Sequence, residues 1–298
     1  PAVDFPTIQI TATLPGAKDL FRRALDLDPN YAPAWARLAR VYRVLSKYGH
    51  GDVGEYLRLA ESAFRRALEL NPDLSIAHNL YAYFEVEEHG RPQAALSRLL
   101  DRARLRGEDP ELLAGLVLAC RFCGLLDASL AADRRARRLD PGIRTSVAYT
   151  YWMRGDYAEA IAHEDQDFAW MRQYALPMLG REAEAIELTH SVEARIVAPM
   201  PLAMLQGNRA ALEKDRDACE KAHRAVIAGG FHDPEGLYFS ARALARTGSI
   251  DLAFEVFERV VNGGFCLPQV FERDPWLEPM RARRLAGTAA RLPHGRVA

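Results

Sequence analysis

LFRRALDLDP, residues 20–29, and AFRRALELNP, residues 63–72, are nearly the same phrase written twice. Each sets Phe, Ala and Leu at helical spacing and stops at an Asx-Pro pair. The proline ring removes a backbone donor and turns the preceding residue away from helical geometry, so each phrase reads as a helix with a built-in end. A second periodic run follows each stop. After Pro29 it places Trp35, Leu38, Ala39 and Tyr42 on one stripe. The phrase, its stop and its return together indicate an internally repeated chain of helix pairs.

The rest of the sequence fits that reading. Ala, Leu, Arg and Glu dominate, strand signals are nearly absent, and segments 17–28, 33–45 and 56–70 are predicted helices. Asp28-Pro29, Asn71-Pro72 and Asp140-Pro141 end helices in the same way. Ala17, Phe21, Ala24 and Pro29 keep the spacing of Ala60, Phe64, Ala67 and Pro72. Small residues on one helix let its neighbour approach, and the aromatics fill the space between pairs. Such a hairpin cannot bury both faces alone, so it stacks.

These residues resemble the tetratricopeptide repeat family, most closely over 17–72, through Trp35, Leu38, Ala39, Tyr42, Ala60, Phe64, Ala67 and Pro72. The connection SKYGHGDVGEY, residues 46–56, is longer than that family's hairpin turn. Weaker copies follow, with Gly90, Gly124, Gly155, Gly180 and Gly248 at turns, and the register is least clear over 195–232. The resemblance implies an all-α, right-handed superhelical solenoid of antiparallel helix hairpins, about seven pairs over residues 16–266. Residues 1–15 are expected to form an extended tail, because TIQITATL alternates apolar and polar side chains, and 267–298 a closing segment. That segment, with DPWLEPMR, resembles the end of TPR regions in multidomain bacterial signalling proteins that carry a kinase or nucleotidyl-cyclase domain.

Composition narrows the function. A net charge of −1 argues against RNA as the partner, which sets an RNA-binding helical-repeat protein third among the readings. No apolar run nears the ~18 residues a membrane helix needs. Four cysteines make no disulfide framework and suit a reducing compartment, so a cytoplasmic location is expected. The chain opens on Pro1, not Met, and its natural start is expected upstream.

Catalytic motifs are missing: there is no Walker loop, no G-x-G-x-x-G following a strand, no G-x-S-x-G and no H-E-x-x-H. Cys120 and Cys123 form C-x-x-C within an apolar helix, where cysteine is expected to pack as a small hydrophobe. HEDQD (163–167) and the arginines of DRRARRLDP (133–141) read as solvated helix ends. Neither cofactor nor metal is expected, and an enzyme with its site in the superhelical groove is the second reading. The first is a protein-interaction module, the regulatory or scaffold part of a larger signalling protein.

In the family, the first helix of each pair lines the concave face. Removing the packing stripe leaves Arg40 and Arg43, Asn79 and Tyr83, Arg121 and Phe122, Tyr149 and Trp152, and Arg242 and Arg246 as candidate groove residues. Arginine and asparagine clamp carboxylates and peptide backbones, and aromatics give rigid anchors, so an extended acidic or C-terminal peptide is the expected partner. The lysines of the family's carboxylate clamp for chaperone tails are missing here. Residues 4–14 are expected to lie along a helical surface, capping the first hairpin or entering a groove of this chain or of a neighbouring molecule.

Overall fold

A computed structural model describes residues 7–48, 51–107, 109–164, 170–193 and 199–289. Among these residues all regular structure is helical. A leading helix, α1 (Thr7–Leu27), precedes seven successive hairpins. They are α2 (Ala32–Lys47) with α3 (Val53–Leu70), α4 (Ser75–Tyr83) with α5 (Pro92–Arg106), and α6 (Pro110–Phe122) with α7 (Leu126–Leu139). Next come α8 (Val147–Arg154) with α9 (Tyr157–Ala162), α10 (Trp170–Met178) with α11 (Glu182–Glu193), and α12 (Pro199–Glu213) with α13 (Arg216–Ala228). The seventh is α14 (Pro234–Arg246) with α15 (Ile250–Asn262); α16 (Pro268–Arg273), a 3-10 turn and α17 (Glu278–Ala289) close the chain. The fold is an all-α solenoid of helix hairpins.

The repeated phrase has a repeated geometry. α1, α3 and α7 end at Leu27, Leu70 and Leu139, each one residue before its Asx-Pro pair. The Asx carboxyl or amide oxygen then accepts the backbone N–H two residues on: Asn30 to Asp28 at 3.0 Å, Asp73 to Asn71 at 3.1 Å, Gly142 to Asp140 at 2.9 Å. This side-chain turn supplies what the proline withholds and redirects the chain. Trp35 donates from Nε1 to the Pro29 carbonyl at 2.9 Å, and the His78 ring meets the Pro72 carbonyl at 2.8 Å from the matching place. The turn glycines Gly90, Gly124, Gly155, Gly180 and Gly248 all take positive φ, where a Cβ would be strained. Helices α2, α5, α6, α12, α14 and α16 carry proline in their first turn, where the missing N–H has no partner to lose.

Two differences from expectation stand out. Residues 7–15 are helical, continuing α1, with Pro15 inside it. A lone strand would leave its backbone unpaired in an all-helical fold, while a helix satisfies its own. Residues 1–6 lie outside the described residues. The connection after α2 is also short: α2 runs on to Lys47 and α3 begins at Val53, capped by Asp52, which accepts from the Glu55 amide.

The larger surprise is the course of α14. Eleven of its thirteen residues are buried. The helix and the turn before it touch the first helix of nearly every other pair. Phe231 meets Tyr48, Glu235 pairs with Arg121, and Phe239 packs on Tyr149, Trp152 and Tyr174. Further along, Arg242 Nη2 approaches Met178 Sδ, and Arg246 Nε donates to the Ala211 carbonyl. The solenoid is wound so tightly that its seventh first-helix fills its own lumen. Distant turns meet as a result. Gly264, at φ +86°, lies against Gly90, and a Cβ built on Gly264 would sit 2.8 Å from Gly90 Cα.

Candidate functional site

With α14 in the lumen, the concave face is open at the N-terminal end, ahead of the part that α14 fills. There a cavity of about 470 Å³ is walled by α2, α4, the start of α6, the turn into α8 and the start of α10. Its character comes from α2. Arg37, Arg40 and Arg43, three residues apart, share one face of that helix and all line the cavity, joined by Arg144 from the turn before α8.

The four cations differ in what they are tied to. Arg43 is buried and donates from Nη1 to Glu87 at 2.5 Å, with its guanidinium 5.4 Å from the Tyr83 ring centre. Burial opposes its charge, but Glu87 and Glu88 outweigh that and raise its proton affinity. Arg40 opens onto the water of the concavity and makes no hydrogen bond or ion pair among the described residues. Its proton affinity is lowered, first by desolvation and then by the like charges of Arg43, Arg37 and Arg144. The facing wall is polar and already engaged: Asn79 donates from Nδ2 to Glu111 at 2.6 Å. Glu164 accepts the backbone N–H groups of Met171 and Arg172 at the start of α10. Desolvation pushes its carboxyl up to about 8.

A network of buried charges floors this cavity and joins α14 to the first two hairpins. A π-helical turn, Phe84–Glu88, extends α4 and brings successive acids inward. Glu87 meets Arg43 and Lys47, and Glu88 meets His232 at 2.7 Å. Lys47 also pairs at 2.5 Å with Asp233, which caps α14 by accepting from the Glu235 and Gly236 amides. Arg121 then forms a two-point pair with Glu235, Nε to Oε1 at 2.8 Å and Nη2 to Oε2 at 3.0 Å.

Of the ten expected groove residues, five line the open cavity: Arg40, Arg43, Asn79, Tyr83 and Tyr149. Four others are interior. Arg121 is 1% exposed and Arg242 0%, and Phe122 and Trp152 are buried beside them. Arg242 pairs with Asp274 at 2.8 Å between the rings of Trp152 and Trp276. Arg246 is half-buried, held by Glu182 and stacked on Trp276. The positional rule placed all ten on the concave side, but α14 covers that side beyond the first hairpins. Arg37 and Glu111 were missed, though Arg37 lies one turn before Arg40. Arg144 sits in a connecting turn, where no periodicity marks it.

The other motifs are structural where they are described. All four cysteines are free, and burial pushes the Cys120 thiol up to about 11, making it a poor nucleophile or ligand. No group of three potential metal ligands occurs among the described residues, and the last three residues of HEDQD lie outside them. In DRRARRLDP, Arg137 binds Asp133 within its own helix and Arg134 is exposed. No helix among the described residues is long and apolar enough to cross a membrane.

No family model matches the sequence, and no curated protein matches it. Among solved structures the chain is similar to one titled "Crystal Structure of P58(IPK) TPR Domain", with 15% identity, a TM-score of 0.30, and 95% of this chain and 97% of that one covered. The all-α helical-repeat fold is carried by the successive hairpins and their repeated Asx-Pro turns.

Proposed function

We propose that this chain is a protein-interaction module that binds an acidic segment of a partner protein in the arginine-lined cavity at the open end of its superhelix. The observation that carries the reading is Arg40, a guanidinium with no counter-ion among the described residues, in a concave pocket with three more arginines around it. Like charges held together cost free energy that an incoming carboxylate relieves, and arginine's planar fork binds carboxylates at two points. Tyr83 and Tyr149 flank the cavity and offer flat apolar surface to the segment between its acids. The further expectation, that the module regulates a larger signalling protein, rests on the resemblance of the closing segment alone.

One observation favours the enzyme reading. Glu111 and Glu164 line the same cavity, and desolvation raises the proton affinity of both. Both are committed, however, Glu111 to the Asn79 amide and Glu164 to two backbone amides. We therefore rank binding above catalysis. Titration of fluorescein-labelled hexaglutamate is the test. Wild type and Arg65→Glu, altered on an exposed part of α3, should bind equally, and Arg40→Glu should bind at least about tenfold more weakly, a change of about 1.4 kcal/mol. Equal affinity in all three proteins would remove the proposal.

A further inference from the structure

The repeated phrase is buried to very different extents at its two sites. In α3, Ala63 is 2% exposed and Phe64 and Ala67 are fully buried, because α3 packs between α2 and α4. In α1 the matching residues are Leu20, Phe21 and Ala24. Leu20 is 58% exposed, and Phe21 and Ala24 are only partly covered. Leu27, one turn on from Arg23, is 90% exposed. The face that is closed over on α3 is only half covered on α1, where Phe21 and Ala24 pack toward the core shared with α2 while Leu20 and Leu27 stand out. Leu20 and Leu27, seven residues apart, form one ridge, continued by Tyr31 and flanked by the exposed Arg23.

The opposite end of the solenoid has a matching groove. Between α15, α16 and α17 lies an open cavity of about 690 Å³, floored by Phe254, Phe257, Phe271 and Met280 with the exposed Val261 at its edge. Its rim carries the exposed Glu258 and Glu272, and Glu255, which Arg259 holds within α15 at 3.3 Å. Arg281, also at this groove, is already spent on Glu278 and on the carbonyls of Phe271 and Asp274. One end thus offers an apolar ridge beside a cation, the other an apolar groove with an acidic rim.

We propose that copies of this chain associate head to tail, the α1 ridge of one seating in the α15–α17 groove of the next. The occupant of the groove is a second copy of the chain, chosen by apolar fit and by Arg23 against the glutamate rim. Two different surfaces meet in such a contact, so each dimer keeps one free end of each kind and can add further copies.

The test is sedimentation velocity on the full chain at rising concentration, beside two variants changed only at exposed positions. Leu20→Asp/Leu27→Asp spoils the ridge, and Val261→Asp spoils the groove edge. Circular dichroism melts matching wild type establish that both remain folded. Wild type should grow past dimer with concentration, and each variant alone should stay monomeric. An equimolar mixture of the two should form dimers and nothing larger, since only one intact ridge–groove pairing exists between them. A wild type that stays monomeric into the millimolar range overturns the proposal. So does a groove variant that still dimerises while the ridge variant does not, which would mean two ridges meeting, and so does a mixture that stays monomeric.

Discussion

Replacing Asp274 with alanine should detach the closing segment from the helix it holds. The Asp274 side chain is 1% exposed and accepts three close hydrogen bonds: from Tyr238 Oη at 2.7 Å, Arg242 Nε at 2.8 Å and the Trp276 amide at 3.0 Å. Its carboxylate is the counter-charge of Arg242, a fully buried cation stacked between Trp152 and Trp276 and already short of one partner at Nη1. Breaking a buried pair from one side costs about 3–5 kcal/mol, and a stranded buried hydroxyl about 1–3 kcal/mol more. The sum is an upper figure, because neighbouring groups do not add, yet it is a large share of the about 5–15 kcal/mol that holds a domain folded. Asp274→Ala/Arg242→Met removes the stranded charge as well and should recover about 2 kcal/mol or more. Urea unfolding followed by circular dichroism measures the cycle, and hydrogen exchange over 265–283 reports whether the loss begins locally. A cost below about 1 kcal/mol for Asp274→Ala, or a double variant no better than the single, would refute the account of α14 as a helix pinned by buried charge.

Other expectations follow from the same contacts. Gly264→Ala should lose more than the about 1–3 kcal/mol of left-handed backbone strain, because its Cβ meets Gly90; Gly248→Ala, at φ +82° with nothing nearby, should lose the strain alone, and equal losses in urea melts would contradict the close approach. Gly207→Ala would drive a Cβ to 2.4 Å from the His223 ring, and overpacking there should cost about 1–3 kcal/mol by the same measurement. His232 should make stability depend on pH. Burial disfavours its charge, but the bond to Glu88 outweighs burial, so it holds its proton more tightly folded than unfolded. That stabilisation is complete below the ordinary value of 6.5 and is lost as pH rises through the higher folded value. The urea midpoint of wild type should therefore fall from about pH 6 to pH 8 relative to His232→Gln, and parallel curves would count against the pairing.

The echo at 20–29 and 63–72, the Asx-Pro stops and the turn glycines were legible because each is decided within a few residues. The closure was not. Lys47 with Asp233, Arg121 with Glu235 and Gly90 with Gly264 are set by the small rotation between hairpins summed over the solenoid, and no local pattern encodes that sum. One signal was available. Leu237, Tyr238, Phe239, Ala241, Ala243 and Leu244 surround α14 with apolar side chains, and a helix apolar on all sides is a buried one. Read that way, α14 removes Arg242 from the groove, and its Glu235 accounts for Arg121. Arg40 and Arg43 were found because they lie ahead of the part that α14 fills.

Photo-crosslinking tests the central claim most directly. A hexaglutamate peptide carrying a benzophenone is irradiated with the full chain, and its adducts are mapped by mass spectrometry. Adducts confined to the cavity walls, α2, α4, the starts of α6, α8 and α10 and the turn at 140–146, are the predicted result. Adducts on the outer helices α3, α5 and α7, with none in the cavity, would contradict it.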